Sequence, residues 1–238
     1  MKNVVYCGYR SWSTDLYSGL NNFCYKRGDV KLRPLVSSKE SLVGLEGVDL
    51  VIFAGWSWIV PKEIIDKYLC VCIHPSNLPN FAGGSPIQHQ VIAGEFDSKV
   101  TVFKMNNKLD SGPVYDKASV SLLGPIEEVY EKIRLACLPI LRSLLTDLAT
   151  GCIVFKKQSS EPIPLKRLKP KDGILTEKQV NDMTFKELEN RINMLRSPYP
   201  GLSIKMGDSL VSCKEAIKYR YIPKGDYIKV KDGYARII

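Results

Sequence analysis

Val48-Asp49-Leu50-Val51-Ile52-Phe53-Ala54 is the stretch on which the fold turns. It is almost wholly apolar, with no alternation of polar and apolar positions. A strand that is apolar on both faces belongs inside a parallel sheet covered by helices. After a loop, Pro61–Tyr68 opens with proline, whose fixed φ suits a first helical turn. Leu69–His74 then reads as a second buried strand, so residues 48–74 form a strand–helix–strand unit. The same alternation continues upstream with a strand at Asn3–Cys7, a helix over Thr14–Lys26 with Ser13 as its cap, and a strand at Lys31–Val36. Downstream come a helix at Pro86–Ala93, strands at Lys99–Met105 and Val114–Ser121, and a long amphipathic helix over Ile126–Ala149. The pattern predicts an α/β fold with a mostly parallel sheet. Ligands of such folds sit beyond the carboxyl ends of the strands, which places the turns after residues 8, 54 and 74 on one edge.

The chain has 238 residues, 45% of them apolar and 25% charged, which suits one large domain with a small appendage. No run is long enough to span a bilayer, and Met1–Gly8 is too short an apolar run for a secretory signal, so a cytoplasmic site is expected. Seven cysteines, nearly all isolated in apolar segments, predict buried thiols in a reducing compartment. The one close pair, Cys70 and Cys72, lacks zinc-knuckle spacing, and no metal is expected.

The tail differs from the rest. Pro162, Pro164 and Pro170 mark a linker, Thr184–Met194 a helix, and Ser197-Pro198-Tyr199-Pro200-Gly201 its end. Short segments at Ser203–Met206, Ala216–Ile222 and Tyr227–Val230, separated by Gly-Asp and Asp-Gly turns, predict a small antiparallel unit. The expected division is a catalytic domain over 1–160 and a linker helix with a β subdomain over 161–238. Residues 151–238 hold 18 Lys and Arg against 10 Asp and Glu. That excess fits an anionic partner or simply a solvated basic surface.

Four constellations could carry chemistry. His74 ends a buried strand and enters a loop, residues 75–86, rich in Gly and Pro. Held there it could move protons near neutral pH, or merely close the strand with a backbone hydrogen bond. Asp110, in Leu109-Asp110-Ser111-Gly112-Pro113, is either a turn aspartate or a carboxylate that orients an imidazole. Ala54-Gly55-Trp56-Ser57-Trp58-Ile59-Val60-Pro61 could line a flat aromatic pocket or pack its indoles on a helix. Gly8-Tyr9-Arg10-Ser11-Trp12-Ser13-Thr14 could hold an anion at a helix start or simply cap the helix. Its glycine spacing is neither a dinucleotide fingerprint nor a P-loop.

Ile73-His74-Pro75-Ser76-Asn77-Leu78-Pro79, with Gly83 and Pro86, resembles the Asn-x-His-x-Ser-Leu-Leu-Pro loop of the folate-dependent formyltransferases. Leu109-Asp110-Ser111-Gly112 is similar to that family's Leu-Asp-Thr-Gly, and the 36 positions from His74 to Asp110 suit its spacing. The segments Leu165-Lys166-Arg167, Lys171-Asp172 and Pro198-Tyr199-Pro200-Gly201 look more weakly like its later region. The resemblance implies a Rossmann-like catalytic domain with 10-formyltetrahydrofolate as co-substrate. It implies His74 and Asp110 as the catalytic pair. It places the folate on Gly55, Trp56, Trp58, Ile59, Val60, Met105 and Asn106. It places the acceptor on Arg10, Ser11, Trp12, Ser76, Asn77, Gly83, Gly84 and Gln88. In two places the chain departs from the pattern. Cys72 stands where the family has Asn, and a thiol is a weak hydrogen-bond donor. Asn77, Gln88 or His89 could supply the missing donor, or protonated His74 could carry the load alone. Ala82 replaces a common basic residue before Gly83.

The expected acceptor is the amine of a nucleotide-linked amino sugar, because the Gly-Tyr-Arg-Ser-Trp opening and the Gly-Trp-Ser-Trp loop look like those of sugar-modifying members and the chain after Gly201 is short. Methionyl-tRNA is the alternative, and a binding module with lapsed catalysis is a third reading, from another class. A homodimer follows from family habit.

Overall fold

The computed structural model describes residues 1–42, 45–197 and 199–238; Pro198, in the helix-ending stretch read above, lies outside them. The chain divides into two compact units. One comprises Met1–Pro86, Asp97–Ser121 and Tyr130–Leu165, and the other Ile87–Phe96, Leu122–Val129 and Lys166–Ile238.

The first unit is built on a six-stranded sheet. Its strands are β1 (Lys2–Cys7), β2 (Val30–Leu32), β3 (Leu50–Ala54), β4 (Cys70–His74), β5 (Asp97–Lys104) and β6 (Val114–Ser121), in the order β2-β1-β3-β4-β5-β6. The first four in that order run parallel, and β5 and β6 are antiparallel to their neighbours. All five residues of β3 are fully buried, as its composition predicts for a central parallel strand. Helix α1 (Ser11–Arg27) and helix α2 (Lys62–Lys67) connect the parallel strands. Helix α3 (Pro86–Ile92) lies between β4 and β5 in the chain, and α4 (Ile126–Thr150) follows β6. Along α4, Ile133, Cys137, Leu141, Leu144 and Leu148 recur at helical spacing and are all buried, the stripe that joins a helix to a sheet.

Three of the element boundaries that differ from the sequence reading have a visible cause. Strand β3 starts at Leu50, not Val48, because the Asp49 carboxylate accepts hydrogen bonds from the Asn3 N–H (2.8 Å) and Lys2 Nζ (3.0 Å). The Asn3 N–H, and then Lys2, hold that carboxyl below its usual range. Strand β2 stops at Leu32 ahead of Pro34, and Val36 makes only an isolated bridge to Cys7. Helix α1 begins at Ser11, so Ser13 is not its cap. Ser13 is instead fully buried, and its Oγ donates to the Ala54 carbonyl at 2.8 Å. The Tyr6 hydroxyl donates to the Ser13 carbonyl at 3.0 Å. These bonds tie the first helical turn to the carboxyl end of β3.

The second unit carries two three-stranded sheets. One, β7 (Ile174–Thr176), β8 (Leu202–Met206) and β9 (Ser209–Cys213), pairs β7 parallel to β8 and β8 antiparallel to β9. The other has the order β10-β12-β11, from β10 (Ala216–Tyr219), β11 (Ile228–Val230) and β12 (Gly233–Ile237), and is wholly antiparallel. Helices α5 (Glu177–Asn181) and α6 (Phe185–Met194) both begin with capping boxes, Thr176 with Gln179 and Thr184 with Glu187. Phe185, Leu188 and Ile192 of α6 pack with Leu202, Ile204 and Val230 in one core. The parallel β7 pairing departs from the purely antiparallel unit expected.

Ser13→Ala removes the hydroxyl that donates to the Ala54 carbonyl and is expected to cost about 1–3 kcal/mol of stability, read as a lower urea midpoint with an unchanged slope.

Candidate active site

Strand β4 brings His74 to its carboxyl end, where the ring is only 6% exposed. The loop that follows is held from both sides. Thr101 of β5, opposite His74 in the register, donates its Oγ1–H to the Ser76 carbonyl (2.7 Å) and accepts from the Leu78 N–H (3.3 Å). The Ser76 hydroxyl donates to the Asn80 carbonyl at 2.7 Å, and the Leu78-Pro79 peptide is cis. Lys117 of β6 donates to Asn77 Oδ1 (2.8 Å) and to the Leu78 carbonyl. The loop then turns back so that the Phe81 carbonyl meets His74 Nε2 at 2.9 Å. A carbonyl only accepts, so Nε2 carries the hydrogen and Nδ1 is left to face Asp110.

Asp110 arrives from the turn between β5 and β6. Asn106 Oδ1 accepts from the Lys108 N–H (2.9 Å) and the Ser111 hydroxyl (3.0 Å), which closes the turn. Asp110 takes a φ of 51°, the left-handed region that Asp tolerates better than most residues. Gly112 lies against β5, where a Cβ would fall 1.7 Å from the Lys104 carbonyl oxygen. Asp110 Oδ2 accepts from the Gly83 N–H at 2.7 Å and lies 3.5 Å from His74 Nδ1. The second contact is too long for a formed hydrogen bond, so it is an ion-pair geometry whenever Nδ1 is protonated. Asp110 Oδ1 has no partner among the described residues. Gly83 is required for close approach: a Cβ there would lie 2.4 Å from the Leu165 carbonyl oxygen.

Cys72 lies two residues before His74 and packs beside Leu78, Ala82 and Phe103. Its thiol is 3.7 Å from the Ile73 carbonyl, as donor. Burial, and then the Asp110 charge, push the thiol well above its usual range, so it offers no thiolate to a substrate.

The loops after β1 and β3 meet. Tyr9 donates its hydroxyl hydrogen to Ser57 Oγ (2.6 Å), its ring lies 4.6 Å from that of Trp58, and the Arg10 guanidinium lies 5.5 Å from the Tyr9 centroid. Trp56 packs edge-on to Phe53 and Trp58. Trp12 is buried and stacks on Tyr130 at 6.2 Å, and a Cβ at Gly55 would lie 3.0 Å from its ring. The indole Nε1 groups of Trp12 and Trp56 are both buried without an acceptor among the described residues. Ile59 is 96% exposed while Val60 is buried in the core, so the loop presents one apolar side chain outward. Met105, like Cys72, packs against the cluster of Leu78, Ala82 and Phe103, and Asn106 spends its side chain on the Asp110 turn. Ser11 is exposed at the first position of α1.

The structure thus brings His74, Asp110, Cys72, Ser76, Asn77 and Gly83 into one cluster, with Gly84 bonded to the Leu165 carbonyl at 2.9 Å. It gathers Arg10, Trp12, Gly55, Trp56 and Trp58 into another. Gln88 falls in the second unit, buried, with its amide 3.5 Å from the Met194 carbonyl, and His89 there meets the Lys166 carbonyl at 2.9 Å. The sequence reading missed Phe81, Thr101, Lys117, Gln158 and Leu165. Phe81 and Leu165 act through their backbones, which leave no trace in residue type. Among the described residues no three His, Cys, Asp or Glu side chains group as metal ligands, and no helix is long and apolar enough to cross a membrane.

With this geometry in place, the comparisons assign a class. Residues 36–136 match the formyl transferase family. Among individual proteins, it is similar to the methionyl-tRNA formyltransferase of Bacillus subtilis (strain 168), 30% identical over 158 residues, or 64% of this chain and 48% of that one. The chain therefore spans about half the length of that curated relative. A solved methionyl-tRNA formyltransferase from Clostridium thermocellum superposes with a TM-score of 0.76 at 25% identity, covering 100% of this chain and 99% of that one. HypX from Aquifex aeolicus, solved with tetrahydrofolic acid, shares the fold with a TM-score of 0.77 at 18% identity, over 98% of this chain and 43% of its own. The expected nucleotide-linked amino sugar acceptor is overturned here. The Bacillus relative matched in sequence, and the Clostridium structure matched end to end, are methionyl-tRNA formyltransferases. The short opening and loop motifs that suggested a sugar are too brief to outweigh a whole-chain likeness.

Because its thiol is held protonated, Cys72 is expected to react with iodoacetamide at neutral pH far more slowly than exposed Cys152, which peptide mass spectrometry reads directly. Equal labelling of the two would contradict the placement of Cys72.

Proposed function

We propose that this chain transfers a formyl group from a 10-formyl reduced folate to the amine of methionyl-tRNA. The observation that carries the reaction is the His74–Asp110 pair, buried and fixed at the carboxyl edge of the sheet. The likeness to methionyl-tRNA formyltransferases supports the acceptor. The folate is supported by the family match and by the loop after β3. There the orphan Trp56 N–H, half-exposed Trp58 and outward Ile59 fit a ring that is flat, apolar on its faces and polar at its edge. Gly55 and the Val60 backbone would shape that loop, with Met105 and Asn106 beside it. When bound, the folate supplies a one-carbon unit at the formyl level.

The residues divide the proton work. An aminoacyl ammonium must lose a proton to become a nucleophile, and Asp110 Oδ1 is the open acceptor in the cluster. Oδ2 is occupied by the Gly83 N–H, which fixes the carboxylate plane. His74 is anchored through Nε2 and the Phe81 carbonyl. Its Nδ1–H, only loosely held by Asp110, is the donor free to share with the oxygen that gains charge during acyl transfer. With Nδ1 protonated, the imidazolium would balance the Asp110 carboxylate. Cys72 takes no part in this, so His74 carries the oxygen stabilisation that the family shares with Asn. On this reading Arg10, Ser11 and Trp12, at the start of α1, face the acceptor side, and Ser76, Asn77 and Gly84 shape the loop around it.

Incubation with 10-formyltetrahydrofolate and methionyl-tRNA is expected to yield formylmethionyl-tRNA. His74→Ala and Asp110→Asn are each expected to lower kcat/KM by roughly 10²–10⁴-fold, the range of a positioned acid–base group. Wild-type protein that is folded yet forms no product at any salt concentration would overturn the assignment.

The basic excess of residues 151–238 gives a second test. If phosphates of tRNA are contacted, KM for methionyl-tRNA rises steeply between about 50 and 200 mM salt while KM for the folate does not. Equal salt effects on the two would argue against a nucleic acid substrate.

A further inference from the structure

The segment after α4 looks like a plain linker in sequence, and three of its residues grip the site. Lys156 exchanges backbone hydrogen bonds with Val114, at 2.7 and 2.8 Å. Two residues on, Gln158 sends both amide hydrogens to backbone carbonyls of the Asp110 turn, to Asp110 at 2.7 Å and to Gly112 at 2.9 Å. At the far end Leu165 donates its N–H to the Ala82 carbonyl (2.8 Å) and accepts from the Gly84 N–H (2.9 Å). The Asp110 turn needs such an outside hold. Its central residue has a left-handed φ, and Gly112 is wedged against the Lys104 carbonyl, so two carbonyls are turned away from the sheet ladder. Gln158 supplies the missing donors, while its own Oε1 is buried with no partner. A side chain kept with half of its carboxamide unsatisfied is held there for the other half.

We infer that Gln158 is a positioning residue for Asp110: its amide fixes the turn so that the carboxylate meets both the Gly83 N–H and His74 Nδ1. Its bearing on rate rests on the formyl-transfer reading above; its bearing on geometry does not. Two substitutions separate donor chemistry from space filling. Gln158→Met keeps the volume and removes the donors. Gln158→Lys restores donors at the end of a straight chain and carries no orphan acceptor, and Gln158 is half-buried, leaving room for the longer stem.

The first readout is amide hydrogen exchange at two adjacent glycines. The Gly83 N–H depends on Asp110, whereas the Gly84 N–H depends on Leu165. Gln158→Met is expected to speed Gly83 exchange by about tenfold, the loss of one hydrogen bond's protection, and to leave Gly84 unchanged. Gln158→Lys is expected to restore Gly83 protection. The second readout is kinetic: Gln158→Met lowers kcat by roughly 10–100-fold with little change in KM, since a displaced carboxylate costs orientation and not binding. Gln158→Lys recovers most of that loss.

Unchanged Gly83 exchange in Gln158→Met, or equal behaviour of Met and Lys variants, overturns the inference. Loss of protection at both glycines in Gln158→Met marks general loosening, and the Lys variant then decides. Absence of formyl transfer by the wild type, with the exchange pattern as expected, removes the proposed reaction and keeps Gln158 as the residue that sets Asp110.

Discussion

A single hydrogen bond, from the Gly83 N–H to Asp110 Oδ2, joins the two loops that make the site. Everything around it serves that 2.7 Å contact. The β4–β5 pairing sets His74 opposite Thr101, and Thr101 shapes the loop that leads to Gly83. The close approach of Leu165 leaves no room for a side chain at Gly83, which fixes where the N–H points. On the other side, the wedged Gly112 and the left-handed Asp110 present the carboxylate. His74 then finds its partner without needing a short bond of its own. On the proposed reading, the carboxylate and the imidazole are positioned before a substrate arrives, and little reorganisation remains to be done.

Much of the scaffold was legible in the sequence, and for physical reasons. The unbroken apolar run at residues 50–54 could be satisfied only by burial on both faces, and β3 is buried throughout. The periodic apolar positions of α4 gave a helix of the observed extent. The boundaries that shifted were set by side chains acting on backbone: Asp49 delaying β3, Pro34 ending β2 early, Ser13 plugging into Ala54 in place of capping α1. Strands β7, β9 and β12 and helix α5 were not read, because short segments derive their state from neighbours far along the chain. In the site, His74 and Asp110 stood out through residue type and loop chemistry. Phe81, Leu165 and Gln158 did not, since two act through backbone atoms and the third sits in a stretch whose composition says only linker. The acceptor was read wrongly from short loop motifs. Such motifs shape a pocket locally and do not encode which amine enters it.

Cys72 changes the balance of the site. An Asn at that position would place a carboxamide beside His74; here a thiol turns toward its own strand and fills a gap among Leu78, Ala82 and Phe103. The position has become part of the packing. On the proposed reading, the consequence is a centre with fewer fixed donors, in which His74 alone is left to meet the reacting oxygen.

The strap formed by residues 156–165 also has a temporal meaning. It is the last part of the first unit to be synthesised, and a chain emerging from a ribosome can pair its six strands before the strap exists. A chain ending near residue 155 contains all six strands and His74, yet lacks the side chain that braces the Asp110 turn. Contacts between residues 158 and 110 and between 165 and 83 are long-range closures, which form late because loop entropy opposes them until the rest is ordered. The hold on the Asp110 carboxylate therefore comes from residues made after every strand of the sheet it serves.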